Sequence, residues 1–471
     1  MIQHKSYKWW LLLLVMVGTA MAVLDSTIVN VGIPVIMRML DTPLEMAQWV
    51  VTAYLVSMCV MLPTAGWIAQ KWGYKKIYLT GLVVFTLGSL LCTFASSIEW
   101  LVAARVIEGF GSGTVQSLGM AIIIRHFDNK MRGLALGLWA IAAAASVSMG
   151  PYLGGILLTH FHWNALFMVN VPVGVIASVA TFFVMREVKD SPMGRFDLVG
   201  FLLVALATPL LVVGLAMGAA QTKSAIGGWD SPFVISSIII SLVMLVFFVL
   251  HSLRNPSPVI DLSIFRNRSF AVSIIALTCF GIGLYGGNYL LPLYLEHSLS
   301  YSALAAGSVF LPVGLIQGSL APLTGVFSRW TGNKILIVSG LVIFTSYFLL
   351  SSIFDTTTSA WLISTTVYMR GIGIGLAFTP LNTMAVSNLT PPQMTSASGV
   401  ANTVKQVSGS IGIAIFTALI SSSTIAGQSL ACREHDYVGA IDTSFMLAAI
   451  FSILGLVAVL FLREKRATQD K

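Results

Sequence analysis

Apolar runs long enough to cross a bilayer recur fourteen times along this 471-residue chain. They lie near 10–30, 46–68, 77–96, 99–124, 133–158, 164–185 and 198–218, then near 232–253, 270–295, 302–326, 334–354, 360–386, 397–421 and 442–462. A helical span takes about 20 mostly apolar residues. In lipid every backbone N–H and C=O must find its partner inside the protein, so runs of this length are forced into helices; a barrel would show short alternating segments instead. Hydrophobic residues make up 56% of the chain and charged residues 9%, far from the ~25% charge of soluble domains. The reading is an all-α integral membrane protein.

Against that background three charges stand out. Arg105 and Glu108 sit inside the run LVAARVIEGFGSGTVQSLGMAIII, and Asp25 sits inside the first run. Charges at that depth cost several kcal/mol unless they are paired or face water, which marks them as functional candidates. Asp25 reads as a lone carboxylate. Removal from water favours the neutral form of any carboxylic acid, which suits a proton carrier; a cap or a hydroxyl-bonded aspartate is the alternative. Arg105 and Glu108 are three apart and share a helix face. Either they form a structural lock, or the fixed charge of Arg105 tunes a carboxylate.

Orientation follows from the 26 lysines and arginines. With the N-terminus inside, only Arg38, Lys223 and Arg433 fall outside, and Arg105, Arg370 and Lys405 fall within the membrane; the rest are cytoplasmic. An even number of spans then puts both termini in the cytoplasm. The net charge of +8 is a topology signal and not a nucleic-acid face. Lys5, Lys8 and Ala20-Met21-Ala22 imitate a signal peptide, but Asp25 onward continues the same helix, so cleavage is not expected. Of the four cysteines, Cys59, Cys92 and Cys279 lie in spans and Cys432 lies outside, so no disulfide is expected.

A weak internal repeat organises the chain. LPTAGWIAQKWGYKKI, from Leu62, and APLTGVFSRWTGNKI, from Ala321, place Pro63, Gly66, Gly73 and Lys75 against Pro322, Gly325, Gly332 and Lys334 at one constant offset of 259. Arg105 with GFGSG and Arg370 with GIGIG form a second pair near that offset. Internal repeats with a site between them are characteristic of secondary transporters. The expected organisation is a six-helix bundle over 1–190, a two-helix transmembrane insertion over 191–260, and a second six-helix bundle over 261–471.

At these residues the chain resembles the major facilitator superfamily, in its fourteen-span drug:proton antiporter (EmrB/QacA-like) branch. Leu24 to Asn30 with Pro34 is similar to that branch's first-helix signature. Gly66 to Lys76 resembles the superfamily loop motif, whose Gly66, Gln70, Lys71, Gly73, Lys75 and Lys76 would form a cytoplasmic gate. Leu101, Arg105, Glu108, Gly109 and Gly111 resemble the fourth-helix motif that the family ties to proton coupling. Gly150, Pro151, Tyr152, Leu153, Gly154 and Gly155 resemble the antiporter motif. Phe167 to Gly174, Arg370 to Pro380 and Asn402 to Gly412 also match the branch. The resemblance implies two six-helix bundles plus two extra transmembrane helices, and a proton-coupled antiporter with Asp25, Arg105 and Glu108 as its coupling residues.

Two positions depart from the pattern. Gln70 stands where the family has an aspartate that latches the gate; an amide carries no charge, so a weaker latch is expected at what reads as a partly exposed position. Asn164 stands where the branch often has arginine. Gly109 with Gly113, and Gly150 with Gly154, have the spacing that lets helices approach closely, and Pro151 removes a backbone donor. Asn30, Trp139, Met149, Tyr152, Tyr285, Asn288, Tyr289 and Gln406 are candidates to line a cavity for amphipathic, cationic compounds. Glu296 and His297 are placed at a helix end.

No P-loop is present, which argues against ATP-driven transport. The histidines form no metal-ligand group beyond His160 and His162, so neither cofactor nor metal is expected, and no enzyme activity. The partners implied are a small-molecule substrate, protons and the lipid of the cytoplasmic (inner) membrane; recruitment of a periplasmic adaptor and an outer-membrane channel stays open, and no nucleic acid is involved. The expected function is proton-coupled export of drugs or toxic compounds. Two alternatives remain: a dedicated exporter of one metabolite, lipid precursor or siderophore, and an energy-independent facilitator or sensor-like binder.

Overall fold

The computed structural model describes residues 4–42, 44–187, 197–219, 228–256, 258–299, 301, 303–387, 389–423 and 430–461. Among them the chain forms sixteen α-helices. The first seven are α1 (His4–Met39), α2 (Leu44–Trp72), α3 (Tyr74–Thr93), α4 (Ile98–His126), α5 (Asn129–His160), α6 (Ala165–Met168) and α7 (Asn170–Val184). A central pair follows, α8 (Leu198–Ala219) and α9 (Pro232–Arg254). The last seven are α10 (Arg268–His297), α11 (Ala303–Ser308), α12 (Leu311–Thr331), α13 (Asn333–Ser351), α14 (Ala360–Ala385), α15 (Pro391–Ser423) and α16 (Leu430–Leu460). Thirteen spans are long and apolar enough to cross a membrane, and a bent pair within α5 makes a fourteenth. This is the all-helical, multi-pass protein that the hydropathy requires.

Two expected spans are interrupted. The run 164–185 divides into α6 and α7 at Val169, with Pro172 in the first turn of α7, where its missing N–H costs no intrahelical bond. The run 302–326 divides into α11 and α12, with Pro312 opening α12. In α5 the axis bends by 44° between Met131–Val147 and Tyr152–His160, where Pro151 removes one backbone donor. The side chains of Pro151, Glu296, His297, Cys432 and Arg433 lie outside the described residues.

The helices cluster into two compact units that do not follow sequence order. The first holds 1–127, 142–262 and 390–407; the second holds 128–141, 263–389 and 408–471. Thus α5 gives its first part to the second unit and the rest to the first, and α15 does the reverse. Within the second unit Gly133 of α5 meets Gly325 of α12, their backbones so close that a Cβ on Gly133 would lie 3.3 Å from the Gly325 Cα. Within the first, Gly399 of α15 faces Leu62 and Pro63 of α2.

The sequence repeat has a geometric counterpart. Gly73 joins α2 to α3 at φ 106°, and Gly332 joins α12 to α13 at φ 83°. Both angles are in the region that glycine alone enters without strain, which accounts for a glycine at each place. Between the halves, α8 and α9 pack together in the first unit. Ser241 Oγ donates to the Ala207 carbonyl at 2.7 Å, and Thr208 on α8 lies against Cys59 of α2. Val213, Met217 and Val234 close over Trp49 and Val56 of α2. The opposite face of α9, with Ile235, Ile239, Leu242, Val246, Leu250 and Leu253, is exposed, as a lipid-facing stripe should be.

Candidate functional site

Small residues decide how closely the helices of the first unit approach. A Cβ on Gly109 would strike Ser57 and the Tyr54 carbonyl, and one on Gly113 the Met58 carbonyl, so α4 lies directly on α2. Gly88 sits against the backbone of Glu108, pressing α3 onto α4. Gly150 meets Thr27, and a Cβ on Gly154 would lie 3.1 Å from the Ile28 carbonyl oxygen, so α5 packs against α1 beside Asp25. Without these contacts the charged side chains would not reach one another. Gly155 lends its carbonyl to Thr159 Oγ1 at 2.7 Å.

Packing of this kind gathers the three buried charges into one cluster. Arg105 Nη1 donates to Asp25 Oδ2 at 2.5 Å and to Glu108 Oε2 at 2.8 Å, and its Nε donates to the Val50 carbonyl at 3.0 Å. All three side chains are 0% exposed. Asn170 Nδ2 donates to Asp25 Oδ1 at 2.9 Å and lies 3.3 Å from Ser89 Oγ. Ser89 Oγ donates to Glu108 Oε1, and Cys92 Sγ lies 3.5 Å from Glu108 Oε2. The guanidinium stands 4.0 Å over the Tyr54 ring and 5.7 Å from that of Phe167. Tyr54 Oη in turn donates to the Ala22 carbonyl at 2.8 Å and shares a 2.6 Å hydrogen bond with Ser112.

Asp25 is therefore not the lone carboxylate of the sequence reading. It shares one guanidinium nitrogen with a second carboxylate, and the cluster has one positive charge against two potential negative ones. Arg105 is bonded to Glu108 on its own helix and to Asp25 on α1. Tyr54, Ser89, Cys92 and Asn170 complete the site, and none is among the residues the sequence motifs mark for it. Asn170 was the visible one, an amide in the apolar stretch FMVNVPVG.

The loop after α2 is organised differently from the expectation. Gly66 is buried, and Gln70 is only 3% exposed, not a partly exposed position. Glu187, just beyond α7, accepts from the Lys75 N–H at 3.1 Å and from the Lys76 N–H at 3.2 Å. It supplies a carboxylate to the N-terminus of α3, where orphan N–H groups and the helix dipole both favour an anion. Gly73 lies directly against that carboxylate. The lysine side chains rest on rings: Lys75 Nζ is 5.2 Å from Phe182, and Lys71 Nζ is 5.5 Å from both Trp67 and Trp72. Asn164 ties α6 to α3, donating to the Thr93 carbonyl at 2.5 Å.

The cavity candidates fall in both units. Asn30, Met149 and Tyr152 are exposed and Gln406 is half-buried, all in the first unit; Asn30 bonds its own helix at Ser26. Trp139 is buried, and Tyr285, Asn288 and Tyr289 are half-buried, in the second. Tyr285 packs on Gly409. Asn288 belongs instead to Arg370, whose Nη2 donates to Asn288 Oδ1 and to the Leu284 carbonyl at 3.3 Å.

Comparison with known proteins supports this architecture. The Major Facilitator Superfamily model matches residues 15–413. The multidrug export protein EmrB of Escherichia coli (strain K12) is 29% identical over 408 residues, 85% of this chain and 78% of that protein. The riboflavin transporter RibZ of Clostridioides difficile (strain 630) is 27% identical over 461 residues, 97% of this chain and 98% of that one. Among solved structures, the human organic anion transporter MFSD10 (TETRAN) superposes with a TM-score of 0.67 at 14% identity, covering 96% of this chain and 99% of that chain, a likeness of fold. A family match over most of the chain, fourteen spans and a repeated glycine turn agree: this chain belongs to the major facilitator superfamily of membrane transporters.

Proposed function

We propose that the protein is a proton-coupled antiporter that exports amphipathic compounds across the cytoplasmic membrane by alternating access. The observation that carries this reading is the fully buried cluster of Asp25, Arg105 and Glu108. Two carboxylates and one guanidinium leave a net charge of −1 when both acids are ionised, and a single proton makes the cluster neutral. Because an uncompensated charge away from water is costly, gaining or losing that proton changes the stability of any arrangement that buries the cluster. A conformational cycle that alternately wets and buries these residues would couple to a proton gradient. Asn170 and Ser89 hold the two carboxylates in place, and the Tyr54 ring holds the guanidinium.

Cationic substrates were expected from the aromatic and amide cavity candidates. Asp25, bonded to Arg105 and Asn170, adds nothing to that expectation, so the proposal is kept at the amphipathic class. A second reading, export of a single metabolite, draws support from the likeness to RibZ over nearly the whole of both chains; export measured across a compound panel separates the two. Both termini are assigned to the cytoplasm on the lysine and arginine distribution.

The test is transport in vesicles containing the purified protein, with and without an imposed pH gradient. The wild type should release protons when a substrate is added. Asp25→Asn should abolish gradient-driven export while keeping part of substrate binding, and Glu108→Gln should weaken coupling. Normal pumping by Asp25→Asn would refute the assignment.

A further inference from the structure

The second unit contains an arginine that the coupling cluster does not use. Arg370, on α14, is 1% exposed. Its Nη2 is bonded to Asn288 and to the Leu284 carbonyl, and its guanidinium faces the Phe310 ring at 5.3 Å and the Tyr347 ring at 5.8 Å. Among the described residues, Nε and Nη1 have no hydrogen-bond partner. Three donor hydrogens on a buried cation are thus without an acceptor.

Comparison with Arg105 sharpens the point. Each arginine opens a glycine-rich turn of helix, bonds a backbone carbonyl of a neighbouring helix, and stands over a tyrosine. Arg105 has Asp25 from α1 and Glu108 three residues on. Arg370 has an amide, Asn288 from α10, and at the third residue on it has Gly373. The first site has its counter-charge built in; among the described residues the second has none. A buried guanidinium with no counter-charge costs several kcal/mol, so the second site is electrostatically incomplete. The Gly287 backbone lies beside the guanidinium: a Cβ there would sit 3.3 Å from Nε and 3.6 Å from Cζ.

We propose that Arg370 is the binding site for a compact monovalent anion, with Asn288, Phe310 and Tyr347 around it. The ligand is a carboxylate on an amphipathic compound or a free halide. Guanidinium donors match an anionic oxygen or halide, and the aromatic walls favour a singly charged group over a heavily hydrated divalent one. As a statement of substrate class this rests on the transport reading above. If the carboxylate is the ligand, exported compounds include amphipathic acids.

Thermal unfolding of the detergent-solubilised full chain tests the site without any gradient, so its outcome is separate from that of Asp25→Asn. Sodium chloride, decanoate and the neutral decanol are titrated in turn, with ionic strength held constant by sulfate. A rise in the wild-type unfolding temperature with decanoate but not with chloride or decanol assigns the amphipathic carboxylate. A rise with chloride assigns the halide. Arg370→Gln should raise the half-saturating concentration at least tenfold. Asn288→Asp places a carboxylate beside the guanidinium, as in the first unit; it should raise the unfolding temperature without added anion and abolish the response. This variant decides the question if Arg370→Gln does not fold. No wild-type response to either anion, or a wild-type response retained in Asn288→Asp, overturns the proposal.

Discussion

Single side chains in this protein are held by more partners than their chemistry advertises. Asn170 is an example: its amide braces Asp25 at 2.9 Å and touches Ser89 at 3.3 Å. Asn170→Ala should lower stability by roughly 1–3 kcal/mol, the cost of leaving a buried charged acceptor short of a donor, and should shift the pH profile of export. Asn164→Ala, which loses the tie to α3 and the bond to His162, both outside the charge cluster, should lower stability and leave the profile in place; equal profiles for all three proteins would remove Asn170 from the coupling site. Asp197, just ahead of α8, offers a separate test. Burial acts against its charge, but bonds accepted from the Gly200 N–H at 2.9 Å, His251 Nε2 at 2.6 Å and the Val259 N–H at 3.2 Å outweigh it and hold the carboxyl below the usual aspartate range. A lowered folded value stabilises the protein above the unfolded aspartate value of about 3.9, and the gain is lost as pH falls through the folded value. Unfolding of Asp197→Asn and wild type should differ at pH 7, and the difference should shrink as pH falls below the unfolded aspartate value. At this scale Asp25, Arg105 and Glu108 were legible because charge in an apolar run is conspicuous. Their meeting was not, since 80 residues of chain separate Asp25 from Arg105. Nor were Tyr54, Ser89 and Cys92, which look like ordinary residues of a span, or the Nε and Nη1 of Arg370, which have no hydrogen-bond partner among the described residues.

Helices add constraints that no single residue carries. The spans themselves were legible, because a bilayer demands length and hydropathy together. Their interruptions were only half legible: Pro151, Pro172 and Pro312 were visible, but whether a proline bends, opens or breaks a helix depends on the partners that take up its orphaned carbonyl. Glu187 shows the limit most clearly. It lay in a charged loop after an apolar run, and only the fold brings it to the N-terminus of α3, 112 residues from Lys75. Glu187→Ala should cost roughly 0.5–2 kcal/mol, as loss of a capping carboxylate does, and hydrogen exchange in the first turn of α3 should rise. Unchanged exchange there would mean that the cap has no energetic weight. The contact of α5 with α1 is equally testable. Gly150→Ala should destabilise the protein by about 1–3 kcal/mol through overpacking against Thr27. Thr27→Gly in the same chain should recover part of that loss, since the new methyl meets the Thr27 side chain.

For the molecule as a whole, the central pair α8 and α9 is the element whose removal separates topology from stability. Spans cross the membrane in alternation, so deleting two adjacent ones leaves the parity of the chain, and hence the side on which α10 begins, unchanged. The lysines and arginines flanking the remaining spans would still favour the same orientation. Packing tells against the deletion. Val213, Met217 and Val234 cover Trp49 and Val56 on α2, and Thr208 lies on Cys59, so removing residues 198–254 strips a protein neighbour from α2 and gives that face to lipid. Apolar residues suit lipid as well as they suit protein. The loss therefore falls on close packing, which is what holds helices together in a membrane, and not on burial from water. A chain lacking 198–254, with a short polar linker in their place, should keep its C-terminal tag on the same side as the full chain and unfold at a lower temperature. Protease digestion of the tag in sealed vesicles of each orientation reads the first property, and thermal unfolding in detergent reads the second. A tag that moves to the outer side would show that α8 and α9 do not count as two spans. A tag in place with unchanged stability would show that their packing on α2 contributes nothing to the first unit.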